Sequence, residues 1–214
     1  MKLHKPIFTL LLFVSFATAF VACKKSDVAP ILIATTYKNL AADPPSGGYN
    51  PTNGSPIGVT KKYAFFSFKT GAIVANTDSA STKWDVGFNG TNLIINSGTS
   101  GPGAAGAIIV TGIFNEILTA PDNGYLQDNK NAAPAFYAIA RGSGNGWYNY
   151  DFSTNLISPI AGRVLVIHTA DSKYVKMEIL SYYKDAPAAP TSSTPDRYYT
   201  FRYIYQADGS KKLQ

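Results

Sequence analysis

The sequence is poor in the side chains that most often bind metals or act as nucleophiles. Its 214 residues include one cysteine, two histidines and two methionines. Once an N-terminal leader is removed, as argued below, Cys23, His168 and Met177 are the last of each kind. An internal disulfide is therefore excluded, and so are zinc sites that need several Cys or His ligands. A Ser–His–Asp hydrolase would have to rely on His168, and no GxSxG motif accompanies it.

Charged residues and long apolar runs are also limited. Asp, Glu, Lys and Arg make up 15% of the chain, and its lysines and arginines are scattered rather than gathered into a basic stripe. We therefore expect no binding of nucleic acid. Beyond residue 22, no apolar run is long enough to predict a transmembrane helix.

Two patterns with catalytic associations have simpler explanations. Residues 101–106 match GxGxxG, but β-prone residues 108–110 follow where a dinucleotide site needs a helix. Asp85 and Asp171 form a candidate carboxylate pair for glycoside hydrolysis. The sequence instead places Asp85 in a strand with a polar outer face and Asp171 in a turn. We therefore expect that the protein is not an enzyme.

A lipoprotein signal is the clearest feature of the N-terminus. Lys2 and Lys5 accompany an apolar run at 7–20, which has the length of a signal-peptide core and is too short to stay in a bilayer. Ala22 then precedes Cys23. This arrangement resembles the bacterial lipobox, in which the cysteine receives a diacylglyceryl group and becomes the new N-terminus. We expect cleavage before Cys23 and a lipid anchor on its sulfur.

The chain divides into a signal peptide, a tether and one β-rich domain. Breaker residues are dense at 43–51, as is typical of a linker that does not fold by itself. From residue 61, short apolar runs alternate with Gly, Asn, Asp and Ser at intervals that favour strands. We predict a signal peptide at 1–22, a tether and loosely structured segment at 23–60, and an all-β domain at 61–214.

The apolar runs of this domain predict an antiparallel sandwich of two sheets. We expect strands at 63–68, 72–75, 84–88, 93–96, 107–110, 112–118, 163–168, 174–181 and 198–205. In the last of these, period-two alternation places Tyr199, Phe201, Tyr203 and Tyr205 on one face. A two-residue turn at 171–172 is expected to join the strands on either side of it into a hairpin.

In their order along the chain, these segments resemble the HmuY family of haem-binding lipoproteins from Bacteroidota. The resemblance extends from about residue 61 to 206 and is carried by residues 63–71, 83–88, 96–103, 121–125, 163–167, 170–171, 174–177 and 199–203. It implies an all-β fold of two back-to-back sheets, displayed on the outer membrane or shed from it. It also implies that the protein captures haem and passes it to a TonB-dependent receptor.

The axial ligands that the resemblance implies are missing from their expected place. Haem held by a protein needs at least one axial ligand, usually His, Met, Cys or Tyr. The family presents two His or Met ligands on loops that correspond to residues 122–160, and this range contains neither residue type. The predicted hairpin pairs His168 with Val175 and Val166 with Met177. His168 and Met177 then rise from one sheet face roughly 7–8 Å apart, which does not suit opposite sides of a haem. We expect Met177 to fill the core.

Aromatic side chains are the remaining candidates for a binding site. We predict that the ligand-binding residues are Tyr125, Tyr137, Trp147, Tyr148, Tyr150 and His168. A tyrosinate can ligate ferric haem, and stacked aromatic rings can hold a porphyrin without coordinating its iron. The alternative is that these side chains anchor loops and strand edges to the sandwich.

Three functions stay open at this point. The first is capture of haem or a related porphyrin for uptake, with aromatic loops in place of the family's ligand pair. The second is adhesion, or interaction with a protein or glycan, on a sandwich that has lost haem binding. The third is binding of a porphyrin that needs no iron. In each case we expect an exported protein that is lipid-anchored in the outer membrane and exposed at the cell surface.

Overall fold

The computed structural model describes residues 1–2 and 31–214, so Cys23 and nearly all of the predicted signal peptide lie outside the described residues. The described part contains eleven strands and two short 3-10 helices, at Asn76–Asp78 and Phe114–Glu116. No helix in it is long and apolar enough to span a membrane. The strands are β1 (Thr35–Ala41), β2 (Ala64–Ser67), β3 (Ala72–Val74), β4 (Val86–Asn89), β5 (Asn92–Ile95), β6 (Gly106–Thr111), β7 (Tyr148–Asp151), β8 (Leu156–Pro159), β9 (Arg163–His168), β10 (Tyr174–Tyr183) and β11 (Asp196–Gln206).

The strands pair antiparallel and form three sheets. A five-stranded sheet has the order β1-β11-β10-β9-β6, and a four-stranded sheet has the order β3-β2-β4-β5. The hairpin β7-β8 forms a small sheet of its own. The prediction of an all-β antiparallel fold is confirmed, and the separate hairpin is an addition that the sequence does not predict.

The two larger sheets share the main hydrophobic core. On β11, Tyr199, Phe201 and Tyr203 point inward and are buried, as the period-two alternation predicts. Phe66 of β2 meets the Phe201 ring edge-on, with 5.2 Å between centroids, and Phe88 of β4 stacks on the same ring at 5.5 Å. Rings from both sheets therefore interlock in the centre of the sandwich.

The outer face of the five-stranded sheet is covered by a segment that the sequence assigns to a strand at 112–118. The structure has a 3-10 helix there, at Phe114–Glu116. Lys176 of β10 is buried beneath it and donates from Nζ to the carbonyl oxygens of Phe114 (2.8 Å) and Ile117 (2.9 Å). The prediction is wrong because these carbonyls are turned toward the lysine and are not available to a strand ladder.

The ordered domain begins earlier than residue 61. β1 lies within 23–60, the segment that the sequence assigns to a tether, and pairs with β11 at the sheet edge. It buries Leu40, and its Tyr37 ring packs edge-on against Phe66 at 4.9 Å. Its alternation is hidden because the register shifts between Tyr37 and Leu40, where Asn39 takes a left-handed φ of 58°.

The β9–β10 hairpin has a different register from the predicted one. His168 pairs with Tyr174, and Leu165 pairs with Met177. The turn is longer than two residues and includes Ser172 in the left-handed region, at φ 62°. Met177 is therefore fully buried in the main core, whereas His168 lies on the opposite face beside Tyr174. The prediction that His168 and Met177 share a face is wrong, and the prediction that Met177 fills the core is confirmed.

A buried carboxylate joins the ends of the two larger sheets. The sequence places Asp85 on a polar outer face, but in the structure only 5% of it is exposed. Its oxygens accept hydrogen bonds from the backbone N–H groups of Phe68 (2.8 Å) and Ala170 (3.2 Å), which follow β2 and β9. Two strand ends thus obtain an acceptor that no ladder provides. Burial raises the pKa of Asp85 to about 6.

Replacing Lys176 with Met is expected to lower the free energy of unfolding by about 1–3 kcal/mol, because two carbonyl groups under the sheet cover lose their donor. Urea unfolding followed by circular dichroism measures the change. Lys130, which is exposed, provides the matched control, and Lys130→Met should change the stability by less than about 0.5 kcal/mol. Equal stabilities for both variants would show that Lys176 does not hold the segment.

Replacing Asp85 with Asn is expected to change how stability depends on pH. The folded pKa, about 6, lies above the ordinary value of 3.8, so protonation favours the folded state. This contribution is complete below pH 3.8 and is lost as the pH rises through 6. Wild type should therefore lose about 2 kcal/mol relative to Asp85→Asn between pH 4 and pH 7. Urea unfolding at both pH values tests this, and a constant difference between the two proteins would contradict it.

Candidate functional site

A cleft lined by tyrosines opens where four parts of the chain meet. These are the β7–β8 hairpin, the β10–β11 connection, the β4–β5 turn and the loop at 49–56. The cleft has a volume of about 600 Å³, which lies in the range of small-molecule sites. We call it the tyrosine cleft; its lining includes Tyr49, Tyr150, Tyr182, Tyr183, Asp196 and Arg197.

Burial keeps three of these phenols neutral. The Tyr49 hydroxyl donates to Asp196 Oδ2 at 2.5 Å, and burial together with that carboxylate raises the pKa of Tyr49. The Tyr183 hydroxyl accepts the N–H of Ile157 at 2.8 Å, and burial raises the pKa of this phenol as well. Burial holds the pKa of Tyr182 well above its usual value. The cleft therefore presents aromatic faces and neutral hydroxyl groups rather than phenolates.

Trp147 lies beneath the cleft and connects it to the main core. It is buried, and its Nε1 donates to the carbonyl oxygen of Thr91 at 2.9 Å. Its ring packs against Tyr182 at 5.7 Å and against Tyr199 at 5.1 Å between centroids. Thr91 and Tyr182 contact the indole and also line the cleft, so a single residue would separate a molecule bound there from the Trp147 ring.

The β7–β8 hairpin forms one rim of the cleft. The Tyr150 hydroxyl donates to Asn155 Oδ1 at 2.7 Å across the hairpin. Asp151 closes the turn by accepting hydrogen bonds from residues 153 and 154, and Asn155 takes a left-handed φ of 58°. Phe152 at the tip meets the Tyr150 ring edge-on at 4.8 Å and remains 83% exposed. The rim is thus aromatic on its solvent side.

The six residues predicted as ligand-binding do not form one site. Tyr150 lines the cleft, and Trp147 and Tyr148 are buried in the main core under it. Tyr137 lies in a second place, where the Arg141 guanidinium stacks over its ring at 3.4 Å from the centroid. Tyr125 and His168 lie in a third place, with 6.3 Å between their ring centroids. The resemblance places the five aromatic residues in one region, but Tyr137 and Tyr125 pack on separate hydrophobic clusters of the sandwich.

Several residues of the tyrosine cleft are not predicted as site residues from the sequence. Tyr49 lies in the segment predicted as a tether, and Tyr182 and Tyr183 follow the predicted end of their strand at residue 181. The adjacent pair Tyr182-Tyr183 at a strand end is the one pattern that points to an aromatic site. Arg197 enters the cleft because β11 bulges and gives it a left-handed φ of 61°, which no sequence pattern indicates.

The lining of the tyrosine cleft does not suit His or Met ligation of a haem iron. No His, Met or Cys lines it in the part of the chain that the structure describes. His168 is packed between Tyr125 and Tyr174 on the far side of the five-stranded sheet, and Met177 is fully buried. Residues 31–214 also contain no group of three or more His, Cys, Asp or Glu side chains arranged to hold a metal ion.

Comparison with known proteins places the fold. The model of the HmuY protein family matches residues 59–203, which is more than half of the chain. No curated protein sequence matches this chain. The apo form of an HmuY analogue from Tannerella forsythia is similar over 84% of this chain and 99% of that chain, with 13% sequence identity and a TM-score of 0.51.

Two further solved structures show weaker similarity. Apo PinO from Porphyromonas gingivitis covers 82% of this chain and 98% of its own, with 12% identity and a TM-score of 0.49. A Bacteroides vulgatus protein, provisionally described as HmuY-like and haem-binding, covers 80% and 91%, with 15% identity and a TM-score of 0.48. The family match agrees with the ordered segments of the sequence, and the T. forsythia protein shares the fold. The chain belongs to the HmuY family.

Proposed function

We propose that this chain is a non-catalytic lipoprotein of the bacterial outer membrane that captures haem or a related porphyrin for uptake in the tyrosine cleft. The observation that carries the proposal is a cleft of about 600 Å³ with four tyrosines in its lining, built on the fold of the HmuY family. Passage of the ligand to a TonB-dependent receptor is the partner interaction that this function requires.

Aromatic contact is the main source of affinity in this proposal. The rings of Tyr49 and Tyr150 present apolar faces that suit offset or edge-on packing against a macrocycle, and the buried Tyr182 supports the cleft from below. The macrocycle supplies a planar apolar surface, and iron, when present, adds a centre that no His or Met of the cleft reaches. The phenols of Tyr49 and Tyr183 are already engaged with Asp196 and the backbone, so their rings are held in place before a ligand binds.

The predicted site residues take different roles in this proposal. Tyr150 contacts the ligand, and Trp147 and Tyr148 support the cleft from below. Tyr125, Tyr137 and His168 pack elsewhere on the sandwich and act as anchors of their loops. The lipid on Cys23, which lies outside the described residues, holds the domain at the membrane.

Interaction with a protein or glycan is the second candidate function. Phe152, 83% exposed at the hairpin tip, is the observation that favours it, because an exposed aromatic ring on a turn suits contact with a partner surface. This function predicts that the domain binds an envelope partner and no porphyrin. With this function, the protein keeps the sandwich fold and the lipid anchor, and the cleft binds no planar ligand.

Titration with haemin and with iron-free protoporphyrin tests the proposed function. Both are expected to quench tryptophan fluorescence at micromolar concentration, with affinities within about tenfold of each other, because the cleft offers the iron no His or Met. Tyr150→Ala is expected to weaken binding of both by about 5- to 10-fold through loss of ring contact. Tyr137→Ala, outside the cleft, is the matched control and should bind as wild type does. Absence of quenching by either porphyrin would reject the proposal and favour the second candidate.

Replacing Cys23 with Ser tests the anchor. Wild type is expected to incorporate radiolabelled fatty acid and to enter the detergent phase of a Triton X-114 separation, because a diacylglyceryl group adds a large apolar surface. Cys23→Ser should lose the label and move to the aqueous phase. Retention of wild type in the aqueous phase would contradict lipidation at this residue.

A further inference from the structure

Arg197 is placed at the tyrosine cleft by a bulge in β11. Asp196 pairs with Tyr183 and Thr200 pairs with Ser181, so residues 197–199 all lie opposite Tyr182. Arg197 takes a left-handed φ of 61°, which few residues other than glycine adopt. The surrounding structure holds this conformation, since the Arg197 carbonyl accepts the N–H of Ala42 at 2.8 Å.

The guanidinium group of Arg197 forms no ion pair with a carboxylate of residues 31–214. Its Nη1 donates to the carbonyl oxygen of Asp43 at 3.1 Å, while its Nε has no hydrogen-bond acceptor in the described part of the chain. The neighbouring carboxylate, Asp196, is engaged by the Tyr49 hydroxyl. Arg202, by contrast, forms a close pair with Glu178, with Nη2 at 2.6 Å from a carboxylate oxygen. Arg197 therefore lines the cleft as a cation without a carboxylate partner in residues 31–214, and because its Nε is buried, its Nη groups are the donors that face a ligand.

We propose that Arg197 binds a carboxylate of the ligand, so that the tyrosine cleft selects planar aromatic molecules that carry a carboxylate at their edge. This inference rests on the proposed function, because it assigns the polar end of the same site. A guanidinium matches a carboxylate with two parallel N–H···O bonds, which are stronger than neutral hydrogen bonds. The rings of Tyr49 and Tyr150 hold the flat part of the molecule, and Arg197 fixes which edge enters.

The experiment compares iron-free protoporphyrin, which carries two propionic acid groups, with its dimethyl ester. Wild type is expected to bind the free acid about tenfold or more tightly than the ester, since a charge-assisted pair is worth at least about 1.4 kcal/mol. Arg197→Gln is expected to lose this preference. It should bind the free acid more weakly than wild type does, while its affinity for the ester stays within about twofold of the wild-type value. Arg197→Lys should recover part of the preference, because the charge remains and the fork geometry is lost.

Arg141→Gln is the matched control, because Arg141 stacks on Tyr137 outside the cleft and its loss should leave the acid-to-ester ratio unchanged. Ester binding reports that the cleft of each variant is intact. If wild type binds acid and ester equally, or Arg197→Gln keeps the wild-type ratio, Arg197 does not recognise the carboxylate and the proposed function stands. If wild type binds neither porphyrin, the proposed function and this inference both fail. The ratio of acid to ester affinity is measured on wild type, so the proposal can be tested even if a variant folds poorly.

Discussion

The hydroxyl of Tyr199 donates a hydrogen bond to the carbonyl oxygen of Gly90 at 2.8 Å, and this contact joins β11 of the five-stranded sheet to the β4–β5 turn of the other sheet. The bond is buried, and the Tyr199 ring packs against Phe88 and Trp147, at 4.9 and 5.1 Å between centroids. Gly90 takes a left-handed φ of 54°, so the turn that receives the bond depends on glycine. Removal of this hydroxyl would leave a buried carbonyl without its donor.

The hydrogen bond between Tyr199 and Gly90 also fixes one wall of the tyrosine cleft. The β4–β5 turn supplies Gly90 and Thr91 to the cleft, and the Thr91 carbonyl in turn holds the Trp147 indole. The side chains that meet a ligand therefore rest on a floor fixed by both sheets. The rim is less constrained, because the β7–β8 hairpin belongs to neither of them. A fixed floor beside a separate rim suits a site that must accept a ligand and later release it.

Sequence reasoning succeeds where one periodicity extends over several residues. The alternation Tyr199, Phe201, Tyr203 identifies an inward face, and the order of the apolar segments along the chain is sufficient to identify the family. It fails where a local detail sets the outcome, as at Ser172, whose left-handed backbone lengthens the turn and moves His168 away from Met177. It also fails for the cleft, which assembles side chains from distant parts of the chain, because only the fold brings them together.

The separate β7–β8 hairpin has a kinetic consequence. The backbone N–H of Ile157 in β8 donates to the Tyr183 hydroxyl of β10, a bond between the hairpin and the five-stranded sheet that uses no ladder position of that sheet. Outward movement of the hairpin would break this bond and the packing of Tyr150, Leu156 and Ile157 on the main core, but no rung of the two larger sheets. The rate of such a local opening is then set by these contacts rather than by the global stability of the fold, so the two properties can change independently during evolution.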